Sequence, residues 1–556
     1  MGPDTNLVTN AGSFPGWVWV WVVLFTLIWF GSLDYRHLVK PDEGRYAEIS
    51  REMANSGDWI TPRLNGIKYF EKPPLQYWMT ALAFKLFGIN EWTARLWTAL
   101  CGFLGIVVVG IGGKRLFGER IAGFSMLLLA TNVYYVGLGH INCLDMGLTF
   151  FLTLSMVAFL IAQHAPRAGP AERRWMLVAW SAAAGAVLSK GLVSVVIPSA
   201  TLVIYSLIQR EWSAWRRLHV VPGLAIFLAI CAPWFITVSR HNPEFAYFFF
   251  IHEHFLRYAT HLHRRDEPWW FFVPLLIIGL LPWTTIALTG IYRAVQAKLP
   301  RDSFQPQRFL LIWCGFVMLF FSLSGSKLPA YILPVFPALA LLLGPYLANA
   351  GAKALSWNGA TGLILGIIGL VVLPYWLETR KDWPAFDLYR DYSYWLACAL
   401  AVLALGAGLS IYFAKSRRLA LSIIALGSAG FVMMMLALLG HESLAPSNSS
   451  YLLAQKIQPL LRPDIPLYSV KMYDQTLPFY LNRTVTLVDY LDEFEYGLAQ
   501  QPEKSIPTVA EFEAAWRSGH AALAVMQPEQ YETFRAQGLP MRFITQDERR
   551  VIIATQ

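Results

Sequence analysis

The chain has 556 residues, of which 56% are hydrophobic and 15% charged, against roughly 45–50% and about 25% in ordinary soluble domains. Its formal charge is +9, but Lys and Arg fall in short loops between apolar blocks, a distribution that orients a membrane protein rather than one that grips nucleic acid. The five cysteines all lie in or beside apolar blocks with no metal-ligand spacing, which argues against a disulfide framework and predicts buried apolar thiols.

Residues 1–33 have no basic n-region, and the block from Trp17 to Leu33 has no small-residue cleavage site. It reads as a retained first span rather than a signal peptide. About thirteen candidate spans follow the roughly 20-residue rule, near 15–33, 92–113, 119–138, 145–163, 175–190, 192–209, 219–239, 269–291, 308–324, 330–349, 359–377, 392–414 and 420–440. Alternate loops carry the cations, for example Lys114, Arg115 and Arg120; Arg210, Arg216 and Arg217; and Lys415, Arg417 and Arg418. By the positive-inside rule these loops are cytoplasmic. The expected topology is N-terminus in, with residues 441–556 outside.

The first outer loop, 34–91, holds the densest chemistry. Pro41 approaches a helix whose first turn offers Asp42 and Glu43 to the dipole. Tyr46, Ile49 and Met53 recur at helical spacing between charged residues, which predicts an amphipathic helix along the membrane surface, stopped by Gly57. Asp42 can serve as its N-cap. The stretch Tyr69-Phe70-Glu71-Lys72-Pro73-Pro74 then sets two charges between aromatics and prolines. Later outer positions add Asp145, in Asn142-Cys143-Leu144-Asp145-Met146, and His252-Glu253-His254. Residues 441–556 alternate strand-like runs at Ile465–Val470, Thr484–Val488, Ala521–Met526 and Arg549–Ala554 with amphipathic stretches, and Thr508 with Glu511 makes a capping box. They predict a small α/β domain.

Asp42-Glu43, Arg45-Tyr46-Ala47-Glu48, Ser56-Gly57-Asp58-Trp59, Tyr69-Phe70-Glu71-Lys72-Pro73, the His252–His254 triplet and Ser326-Lys327-Leu328-Pro329-Ala330-Tyr331-Ile332-Leu333-Pro334 together resemble membrane glycosyltransferases of the GT-C fold. The nearest likeness is to the bacterial transferases that move 4-amino-4-deoxy-L-arabinose from undecaprenyl phosphate to lipid A; protein O-mannosyltransferases are more distant. The resemblance implies a polytopic α-helical catalytic domain over 1–440 with a periplasmic α/β domain over 441–556. It also implies inversion at the sugar carbon and an inner-membrane home in a Gram-negative-type cell.

The partners so implied are an undecaprenyl-phosphate-linked aminosugar, lipid A and membrane lipids. Leaving as a phosphate monoester, the donor requires cations; Lys72, Arg257 and Lys327 are the candidates, with snorkelling as the alternative for each. Asp42 matches the family's catalytic aspartate and Asp145 its second acid. Glu43, Tyr46, Tyr69, Tyr331 and Lys190 are substrate-pocket candidates, although first-turn electrostatics accounts equally for Glu43. No organic cofactor is expected. A divalent metal such as zinc has a candidate pair in Glu71 and His252, while His252 and His254, two residues apart on a helix, diverge too far to share an ion. The rival readings are another lipid-linked-sugar transferase, protein O-mannosyltransferase-like, and a lipid or sugar-lipid transporter. The absence of an obvious inverted repeat counts against the transporter.

Overall fold

The structure is a computed structural model that describes residues 16–256, 267–300 and 303–555. Each candidate span coincides with a helix or a broken pair of helices. Among the described residues, seven helices are long and apolar enough to cross a bilayer alone, including Glu91–Phe117, Leu144–His164 and Ala352–Glu378. Trp19–Gly31, Val193–Gln209 and Val335–Ala348 are shorter apolar helices, and Pro170–Lys190 begins with the charged Glu172, Arg173 and Arg174.

Two spans expected to be continuous are interrupted. Glu119–Ala130 gives way to Val133–Leu138, restarted by Asn132, whose side chain accepts the Tyr135 N–H. Phe272–Gly279 and Thr284–Gln296 meet at 114° across Pro282, which can donate no backbone hydrogen bond.

Burial separates the centre of the bundle from its rim. The apolar stretch of Leu144–His164 is 83% buried, that of Ala352–Glu378 only 11%. In water an apolar surface of the second kind would be a liability; in hydrocarbon it is the expected lipid face. Four cysteines are buried as expected, but Cys398 is exposed on a helix of that outer kind.

The helix after Pro41 runs Asp42–Ser56 and stops at Gly57, which adopts φ +75° and donates its N–H to the Met53 carbonyl. Its polar face is covered by protein rather than left open to a membrane surface or solvent. Its polar Glu43, Glu48, Ser50 and Arg51 are buried along with Ile49 and Met53, because both faces are covered. Glu43 faces the span bundle, while Arg51 Nη1 donates to Asn482 Oδ1 of the tail at 2.8 Å. A Cβ on Gly44 would stand 2.7 Å from the Gln475 carbonyl oxygen, so the closeness of this seam demands glycine there. Nor does Asp42 cap the helix: Pro41 holds that position and makes no side-chain cap.

The tail contains a six-stranded sheet in the order Ser505–Ile506, Thr486–Val488, Leu467–Val470, Leu523–Met526, Val551–Ala554, Arg542–Gln546. The first four strands are parallel and the last two join antiparallel. The predicted strands are present with trimmed starts, and Thr508 caps helix Val509–Arg517 by accepting the Glu511 N–H. The domain is locked to the first loop. The Asn65-Gly66 hairpin turn between Arg63–Leu64 and Ile67–Lys68 exchanges two 2.8 Å hydrogen bonds between the Asn65 side chain and the Val485 backbone.

Candidate active site

Asp42 stands in the first turn with its side chain 43% exposed, whereas that of the adjacent Glu43 is 1% exposed. One carboxylate is open to a ligand and the other is not. Asp42 Oδ1 accepts from Arg45 Nη1 at 3.1 Å. The Nε of the same guanidinium lies 2.5 Å from Glu493 Oε2, and Glu493 Oε1 accepts from Gln475 Nε2 at 2.7 Å. The tail therefore supplies a carboxylate one contact away from Asp42.

Around Arg45 gather the fully buried phenols of Tyr46, Tyr69 and Tyr77, with Glu71 beside them. Burial, reinforced by Asp42 at Tyr46 and by Glu71 at Tyr69 and Tyr77, raises all three far above an ordinary tyrosine. They remain neutral hydroxyls able to donate. Those of Tyr69 and Tyr77 have no hydrogen-bond partner among the described residues. A buried unpaired hydroxyl costs roughly 1–3 kcal/mol, so both donors are free for a polar partner.

Glu71 leads to the cationic part of the site. Lys72 Nζ lies 3.8 Å from Glu71 Oε2 and 3.6 Å from Glu253 Oε2. Glu253 sits in a π-helical segment, Phe248–Leu256, and its Oε1 is 3.4 Å from His252 Nδ1. The zinc reading of Glu71 with His252 gains no support from this geometry. The Lys72 ammonium faces both carboxylates, and no three His, Cys, Asp or Glu side chains converge among the described residues. Arg257 and the His254 side chain lie outside the described residues.

A second cluster forms where two span ends meet. Asp145 opens Leu144–His164, and its Oδ1 accepts from Lys190, the last residue of Pro170–Lys190. Lys190 Nζ stands 4.4 Å above the Tyr331 ring, in the 3₁₀ turn Pro329–Ile332. Lys327, just ahead of that turn, is buried and donates to the Ser324 carbonyl at 2.7 Å. Asp42, Asp145 and Lys190 all act electrostatically on Cys143, so the two clusters flank one segment.

Glu43 is not a pocket residue. Both its oxygens are taken by Arg95, from Nε and Nη2 at 2.8 Å each, and its Oε1 also accepts the Asn142 N–H at 3.0 Å. Burial would raise its carboxyl, but Arg95, followed by Arg36 and the Asn142 N–H, holds it at about 2. In the sequence Arg45 stands out only as part of a family motif, and Arg95 and Glu493 have no place in the expected site. Arg95 did carry a signal, being a lone cation inside an apolar span. Glu493 carried none, because nothing near it in sequence marks a contact with Arg45.

Comparison with known proteins places this site in a family. The family model for the aminoarabinose transferase C-terminal domain matches residues 453–555, and that for dolichyl-phosphate-mannose-protein mannosyltransferase matches residues 18–290. An undecaprenyl phosphate-alpha-4-amino-4-deoxy-L-arabinose arabinosyl transferase of Pseudomonas paraeruginosa is 30% identical over 514 residues, covering 89% of this chain and 90% of the relative. The crystal structure of ArnT from Cupriavidus metallidurans bound to undecaprenyl phosphate is 40% identical, with a TM-score of 0.92 over 98% of this chain and 99% of that one. The chain belongs to the undecaprenyl phosphate-aminoarabinose transferase family. It is thus a polyprenyl-phosphate-sugar-dependent glycosyltransferase of the GT-C fold, as the sequence motifs imply. An archaeal oligosaccharyltransferase from Archaeoglobus fulgidus, 13% identical with a TM-score of 0.51 over 92% of this chain and 70% of its own, shares the fold alone.

Proposed function

We propose that this transferase moves 4-amino-4-deoxy-L-arabinose from undecaprenyl phosphate to a phosphate of lipid A at the periplasmic face of the bacterial inner membrane. The observation that carries the reading is the Asp42–Arg45 pair with Tyr69, Glu71 and Lys72 beside it, tied through the Glu43–Asn142 contact to the segment that leads to Asp145 and Lys190, in a chain that matches a structure bound to undecaprenyl phosphate over nearly its whole length.

In this reading an oxygen of the lipid A phosphate attacks the anomeric carbon as the bond to the undecaprenyl phosphate oxygen breaks, with inversion. The bonding pair leaves with the undecaprenyl phosphate. The acceptor phosphate is already ionised near neutral pH, its second pKa lying at about 6 as in phosphoserine, so no strong base is required. Asp42, open to a ligand, then stabilises the oxocarbenium-like carbon, as glycosidase carboxylates do. Lys72, Arg257 and Lys327 supply positive charge to the leaving phosphate. The carboxylates Asp42, Glu71 and Glu493 and the neutral phenols suit a sugar that carries an ammonium and hydroxyls. Asp145 with Lys190 and Tyr331 borders the same space.

The distribution of basic loops supports a cytoplasmic N-terminus and a periplasmic tail. Masking lipid A phosphate with a cationic sugar lowers the surface negative charge, which weakens binding of polymyxin and other cationic peptides. Incubation of the purified protein with labelled undecaprenyl-phosphate aminoarabinose and lipid A should move label to lipid A. Passage of intact donor across vesicles without transfer would defeat the reading in favour of a transporter.

A further inference from the structure

The structure assigns Glu43 and Arg95 a task neither would have as a pocket residue: we infer that they are a positioning clamp setting Asp42 against Asp145. The inference rests on the reading of those carboxylates given above.

Arg95 is fully buried in helix Glu91–Phe117, and a guanidinium has five N–H donors. Nε donates to Glu43 Oε1 at 2.8 Å. Nη2 donates to Glu43 Oε2 at 2.8 Å and to the His37 carbonyl at 3.0 Å. Nη1 donates to the carbonyls of Leu33 at 2.8 Å and Arg36 at 2.5 Å. All five donors are engaged. The three carbonyls belong to the chain leaving the first span, and the two carboxylate oxygens belong to the residue next to Asp42.

Glu43 completes the connection. Its Oε2 accepts the Val39 N–H at 3.2 Å, and its Oε1 accepts the Asn142 N–H at 3.0 Å. Asn142 lies three residues before Asp145, and its Oδ1 accepts from Gln76 Nε2 at 2.8 Å. One buried carboxylate thus holds the backbone beside Asp42 and the backbone leading to Asp145 on the same rigid helix. A bidentate Arg–carboxylate fork fixes orientation as well as distance. Charge alone does not account for burying the pair, since apolar residues of similar volume often stabilise as well. The gain lies in geometry, and a misplacement of about 1 Å in a reacting constellation can lower rate on the order of 10²-fold.

The test uses the full-length purified enzyme with undecaprenyl-phosphate aminoarabinose and lipid A, reading kcat and KM separately. Glu43→Gln keeps the volume and an oxygen for the Asn142 N–H but loses the charged fork. It should lower kcat on the order of 10²-fold while donor KM stays within about threefold. In an Asp42→Asn background the same change should lower kcat by less than about threefold, because a clamp acting through Asp42 then has nothing to position. Parental kcat in Glu43→Gln beside an inactive Asp42→Asn, or losses that multiply, would overturn the clamp. An Asp42→Asn enzyme of parental rate would instead overturn the reading of Asp42. If Glu43→Gln does not fold, Arg95→Lys, which keeps the charge without the fork, is read the same way. Failure of both to reach a donor-binding state would assign the pair to folding alone and refute the clamp.

Discussion

Arg45 Nε lies 2.5 Å from Glu493 Oε2, joining the first outer loop to the C-terminal domain beside Asp42. The two are held as an ion pair, and close charge pairs across an interface couple by about 1.5 kcal/mol or more. Glu493→Gln should therefore lower kcat/KM by about 10-fold or more, although Glu493 lies far from the family motifs in sequence. An unchanged kcat/KM would reduce the tail to a cover.

Asp42 is exposed and does not cap its helix. Asp42→Asn therefore loses one partly exposed ion pair with Arg45, worth about 0–1 kcal/mol of stability, and should melt near the parent. Turnover should fall roughly 100- to 1000-fold, the usual cost of one preorganised electrostatic contact. Raising the pH should not restore it, because the phosphate acceptor needs no base. Turnover within a few-fold of the parent at matched stability would remove Asp42 from the chemistry.

The Lys190 and Asp145 side chains are only 13% and 12% exposed. Asp145→Asn leaves an uncompensated ammonium and should destabilise by about 3–5 kcal/mol. Adding Lys190→Met should return most of that stability without returning activity. Recovery of both by the double variant, measured by thermal unfolding and transfer, would make the pair purely structural.

How much of this was legible in sequence depended on distance along the chain. The spans were readable because apolar length is a local property, and Asp42, Lys72 and Asp145 because each sits in a short motif. The breaks at Asn132 and Pro282 and the covered polar face of Asp42–Ser56 were not, since they are decided by partners elsewhere in the fold. The same amphipathic pattern fits a membrane surface or a polar seam between domains, and contacts with the tail such as Arg51 meeting Asn482 reveal the seam. Glu43 was ambiguous for the same reason. Its partner Arg95 is 52 residues away.

Acid unfolding should report the Glu43–Arg95 pair. Glu43 titrates at about 2 in the folded chain against 4.5 for an ordinary glutamate. A depressed carboxyl stabilises fully above its unfolded value and loses that contribution as pH falls through the folded one. The stability of the parent should therefore drop between pH 4.5 and about 2, and Glu43→Gln should flatten that limb. Parallel profiles for the two proteins across this window would contradict the assignment.

Mass spectrometry of lipid A tests the central claim most directly. Cells lacking other aminoarabinose transferase activity but making the donor would express either this chain or Asp42→Asn at matched levels. The account predicts lipid A carrying one added aminopentose on phosphate with the parent chain and almost none with the variant. Unmodified lipid A in cells that accumulate the donor and hold folded parent protein in the membrane would contradict it.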